Sequence, residues 1–68
     1  TEEAIFQYRM TIDLDPDFAL AHKNLGNALL AGRKTEEAIS HYRMAIKLKP
    51  DFAPAHYNFG NALFNQSF

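Results

Sequence analysis

Thr1-Glu2-Glu3-Ala4-Ile5-Phe6-Gln7-Tyr8-Arg9-Met10 opens the chain, and Thr35-Glu36-Glu37-Ala38-Ile39-Ser40-His41-Tyr42-Arg43-Met44 echoes it 34 residues later. The echo continues downstream. Pro16-Asp17-Phe18-Ala19 returns as Pro50-Asp51-Phe52-Ala53, and Gly26-Asn27-Ala28-Leu29 as Gly60-Asn61-Ala62-Leu63, so that 21 of the 34 aligned positions are identical. A period of this length is that of a helix–turn–helix unit, and such units bury their apolar faces on their neighbours. A catalytic constellation is asymmetric and occurs once, so the repetition points to a scaffold rather than an enzyme, with no catalytic residues.

The punctuation of each copy predicts its helices. Pro16 and Pro50 end one helix each, because proline cannot donate to the ladder and disfavours helix in the residue before it. Asp17 and Asp51 follow as expected N-caps. Phe18, His22, Leu25 and Leu29 then fall at i, i+4, i+7 and i+11, one stripe of a helix, and Phe52, His56, Phe59 and Leu63 repeat it. Gly32 closes the first of these helices and Thr35 is expected to cap the next, with Glu36 and Glu37 at its positive end. Ile39, Tyr42 and Ile46 form the buried stripe of that helix beside Ala38 and Ala45; Ile5, Tyr8 and Ile12 repeat it. Met10 and Met44 read as gap-fillers near the helix contacts. The expectation is a single all-α domain over 1–68, four antiparallel helices at about 2–15, 18–32, 35–49 and 52–66.

Composition excludes several classes. The 68 residues carry a formal charge of −1 and no cysteine. No disulfide or thiolate metal site is available, which fits a reducing, cytoplasmic setting. A nucleic-acid partner calls for a basic stripe, and the longest basic run is Arg33-Lys34. No segment approaches the roughly 20 apolar residues of a membrane span. His22, His41 and His56 never stand at i, i+3 or i+4 of one another, so packing rather than zinc ligation is expected, and no metal or cofactor. Opening on Thr1 in mid-pattern, the chain reads as a piece of a longer protein.

Leu25-Gly26 and Leu29, followed by Ala38, Tyr42, Ala45 and Pro50, resemble the tetratricopeptide repeat (TPR) family. The resemblance covers essentially the whole chain, in a shifted phase: half a repeat, one complete repeat, and half of a third. It implies a right-handed α-solenoid fragment in which Gly26, Ala38 and Ala45 let helices approach closely. Two positions depart from the family's habit: His22 and His56 stand where Trp is common, and Arg33 where Gly is, with Gly32 just before it.

The resemblance also implies a concave groove lined by the helices over 18–32 and 52–66, where a protein or peptide partner would lie. Lys23, Asn24, Asn27, Tyr57, Asn58 and Asn61 are its expected peptide-binding residues, because an asparagine amide both donates to and accepts from a peptide backbone. Asn24 and Asn58 are similar to the asparagine ladder of TPR arrays attached to O-linked N-acetylglucosamine transferases, so substrate recognition for an attached glycosyltransferase is one implied role. Lys23, Asn27 and Asn58 match part of the carboxylate clamp of chaperone-binding TPR domains. Asn27 and Asn61 have an alternative reading as ties between helices.

The open ends carry their own expectation. Phe6 on the first helix and Phe59, Phe64 and Phe68 on the last have no evident cover, and exposed apolar patches mark interaction sites. The chain is therefore expected to form homo-oligomers through these ends, by stacking or by exchanging helices.

Overall fold

A computed structural model describes residues 1–66. Four helices follow one another: α1 (Glu2–Leu14), α2 (Ala19–Ala31), α3 (Thr35–Leu48) and α4 (Ala53–Gln66). The described residues are thus all-α. α2 packs on α1, α3 and α4, and α3 packs on both α2 and α4. The Cα trace measures 35 × 28 × 14 Å, a slab thin enough that every helix keeps a solvent face.

The turns replace the expected caps with backbone bonds. Pro16 and Asp17 are the central residues of a turn closed by the Phe18 N–H on the Asp15 carbonyl at 3.2 Å, and Phe52 does the same to Lys49 at 3.0 Å. Asp17 therefore sits inside the turn and does not cap; Phe18 is the N-cap of α2, with no side-chain bond. Thr1 caps α1 through its hydroxyl, which accepts from Ala4 N–H at 3.1 Å. Its repeat mate Thr35 does not cap, because the corresponding Ala38 N–H donates to the Lys34 carbonyl at 3.0 Å.

The α2–α3 turn is a Schellman closure. Lys34 N–H reaches the Leu29 carbonyl at 2.8 Å and Arg33 N–H that of Leu30 at 3.0 Å. Arg33 carries the left-handed conformation, φ 65°, while Gly32 stands at φ −86°. The glycine lies one residue too early for the strained position.

The core lies between α2 and α3. Tyr42, Leu25 and Leu29 are its largest fully buried side chains, joined by Ala38, Ile39 and Ala62. Ile5, Tyr8, Ile12 and Phe59 pack half-buried around them. Burying a side chain of this size contributes about 1.5–3 kcal/mol, so the central hairpin holds most of the stabilisation, and α1 contains no fully buried residue. Met10 and Met44 are exposed rather than filling gaps. His56 and Leu63 are exposed as well, unlike their mates His22 and Leu29, because no described helix covers that side of α4.

Candidate functional site

Asn27 is the meeting point of three helices. Its Oδ1 accepts from Tyr42 Oη–H at 2.6 Å and from Asn58 Nδ2–H at 3.0 Å, which uses both lone pairs of that oxygen. The ring of Tyr42 abuts α2 at Gly26: a β-carbon added there would stand 2.6 Å from Tyr42 Cε1. Burial raises the Tyr42 hydroxyl above the ordinary phenol pKa, which keeps it a donor. Of the six residues expected to bind peptide, the structure joins Asn27 and Asn58 as a tie between α2 and α4.

The other four stand around this tie. Lys23 and Asn24 on α2 are half-buried, while Tyr57 and Asn61 on α4 are exposed. Tyr57 is 72% exposed, the most open aromatic of the described residues. Asn24 lines a cleft of about 210 Å³ with Tyr8, Thr11, Phe18, Leu20 and Ala21. An apolar cleft of about 320 Å³ adjoins it at the turns, walled by Phe18, Leu20 and Phe52, with the Lys49 ammonium 5.2 Å from the Phe52 ring centroid.

The end residues divide. Phe6 is 59% and Phe64 is 64% exposed. Phe59 is half-covered, packed on the core with the Arg43 guanidinium 5.6 Å from its ring centroid. Phe68 lies outside the described residues.

Sequence spacing missed a histidine pair. His22 Nδ1 and His41 Nδ1 are 3.1 Å apart, on different helices, with the rings stacked at 5.4 Å. His22 Nε2 lies 2.9 Å from the Pro16 carbonyl oxygen, which can only accept, so Nε2 carries the proton. In neutral His22 Nδ1 is then an acceptor, and His41 Nδ1–H donates to it. His56 Nε2 makes the same bond to the Pro50 carbonyl at 2.7 Å. His22 and His56 each latch a proline turn six residues back, a spacing that the two copies share. His41 borders a cleft with Arg9, Ile12, Asp13 and Leu25. Its pKa is lowered, chiefly by burial, then by His22 and Arg9, against the opposing pull of Glu37. Among the described residues no group of three or more His, Cys, Asp or Glu could hold a metal ion.

A family model described as a TPR repeat matches residues 27–67. The chain belongs to the TPR family. The matched segment contains Asn27, the whole of the Tyr42 helix and α4. TPR repeats are protein-interaction modules, and a protein partner is the general function of this chain. No curated protein matches the chain. No helix of the described residues is long and apolar enough to cross a membrane.

Proposed function

We propose that the face carried by α2 and α4 binds an extended peptide, through contacts to its backbone. The observation that supports this is the placement of Tyr57, 72% exposed, beside Asn58, whose amide is already oriented by its bond to Asn27. A fixed amide loses little freedom on binding, which favours affinity, and an exposed tyrosine supplies large contact area with only two rotatable bonds. Asn24 occupies the same repeat position on α2 as Asn58 on α4. The two amides would address the backbone at successive points, and Lys23 adds a charge for an acidic side chain or a chain terminus.

The test is fluorescence anisotropy with a pool of labelled extended peptides of mixed sequence, each with a free or an amidated C-terminus. Binding that survives amidation and weakens in Asn24→Ala and Tyr57→Ala, with circular dichroism unchanged, is the expected result. Binding that survives both substitutions, or none across the pool, would reject the groove.

A further inference from the structure

We propose that copies of this chain join head to tail, through a junction that reproduces the internal contact among α2, α3 and α4. The internal contact has four parts: the Tyr42 ring, its seat at Gly26, the acceptor Asn27 and the second donor Asn58. Shifted by one repeat, the same four parts are Tyr8, Gly60 and Asn61, and Asn24. They divide between the two ends. Tyr8 and Asn24 hold the ring and the donors on α1 and α2; Gly60 and Asn61 hold the seat and the acceptor on α4.

Each half stands ready. Tyr42, Asn27 and Asn58 are hydrogen-bonded to one another, whereas the side chains of Tyr8, Asn24 and Asn61 make no hydrogen bond among the described residues. A β-carbon at Gly26 would collide with a ring, yet one at Gly60 would meet nothing within 4 Å among the described residues. Docking α1 of one copy on α4 of another places the Tyr8 ring on Gly60. Its hydroxyl and the Asn24 amide then donate to Asn61 Oδ1.

Charge and apolar surface agree with the same register. Arg9 on α1 pairs with Glu37 on α3 at 3.3 Å. Moved by one repeat, the pair becomes Arg43 of one copy and Glu3 of the next, opposite charges brought face to face. Phe59 is the mate of Leu25, which is 1% exposed, and Phe64 the mate of half-buried Leu30; both gain cover at the junction. Phe6 is the mate of Ser40, exposed even though α3 is flanked on both sides, so Phe6 stays outside it. The contact is heterologous, and repetition of it extends a rod rather than closing a dimer. The inference does not rest on peptide binding; Asn24 serves in both, so Tyr57, which has no part in the junction, is the residue that separates the two tests.

Light scattering behind a sizing column, from micromolar to millimolar chain, tests it. The mean mass should climb without a plateau above the 7.7 kDa of one chain. Gly60→Ala should weaken association about 5- to 150-fold while retaining the helical spectrum. Tyr8→Phe, which removes one hydroxyl, should weaken association about five-fold. A parent that stays at one-chain mass throughout overturns the proposal. So does a Gly60→Ala chain that assembles like the parent, or a discrete dimer indifferent to Gly60→Ala, which would signify helix exchange.

Discussion

Gly26 and Tyr42 fit so closely that a single methyl group would not pass between them: Tyr42 Cε1 stands 2.6 Å from the place of a β-carbon on Gly26. The ring is fully buried and its hydroxyl is held by Asn27, so it has no route of retreat. Overpacking of this kind costs roughly 1–3 kcal/mol, more than the helix propensity of about 1 kcal/mol that alanine returns at most. Gly26→Ala should lower the melting temperature. Gly60→Ala, in open space, should raise that of dilute chain by about 4–8 °C, the shift that about 1 kcal/mol gives a domain of this size. Shifts of the same sign at both positions would contradict the packing described.

The Asn27 tie should be measurable link by link. Tyr42→Phe leaves Asn27 bonded to Asn58 and removes one hydrogen bond, a loss of about 1 kcal/mol in urea unfolding. Asn27→Ala deprives the buried Tyr42 hydroxyl of its acceptor, a loss of about 1–3 kcal/mol. Asn27→Ala proving milder than Tyr42→Phe would show that the hydroxyl finds another acceptor.

Arg33 holds a left-handed backbone at φ 65°, a conformation that costs a residue with a β-carbon about 1 kcal/mol or more. Arg33→Gly should stabilise the chain by about 1 kcal/mol. Gly32→Ala should be neutral or gain about 0.4–1 kcal/mol, since its β-carbon would meet only carbonyl oxygens at ordinary contact, the nearest 3.6 Å away. Chemical denaturation of the two single variants and the double variant checks this; a destabilised Arg33→Gly would mean that the Arg33 side chain outweighs its backbone.

Acid should weaken the fold through His41. Its folded pKa lies below the ordinary imidazole value of about 6.5, because burial and the nearby His22 and Arg9 disfavour the imidazolium. The unfolded chain thus takes up the proton more readily. Stability is fully present above about 6.5 and is lost as pH falls from there through the folded pKa. Urea midpoints measured at intervals from neutral to mildly acid pH should fall, and His41→Gln should flatten the part of that fall lying just below neutrality. An unchanged profile in His41→Gln would assign the loss to other groups.

The all-α fold was legible in the sequence because helix period and proline punctuation are local properties, repeated twice. Close packing of Gly26, Ala38 and Ala45 was legible too, since small residues at helical spacing have few other uses. The caps were misread for a local reason: Asp17 and Thr35 are good capping residues, but the turn at Pro16 and the Lys34 carbonyl had already taken the positions they would fill. The burial of His22 and exposure of His56 cannot be told apart in one dimension, because the two histidines occupy the same repeat position and differ only in what packs over them. Within the candidate site, spacing singled out the asparagines and the structure added which are joined: Asn27 to Asn58, through an oxygen shared with Tyr42.

α1 has no fully buried residue, and the fully buried residues of α4 are Ala55 and Ala62; the heavier side chains are interred in α2 and α3. Amide protons therefore need not share one opening event. Those of α1 and α4 can exchange through partial unfolding of an outer helix while the central hairpin stays closed, so protection against deuterium should rise from both termini toward the middle. Opening is graded along this chain, the outer helices fraying before the hairpin they flank.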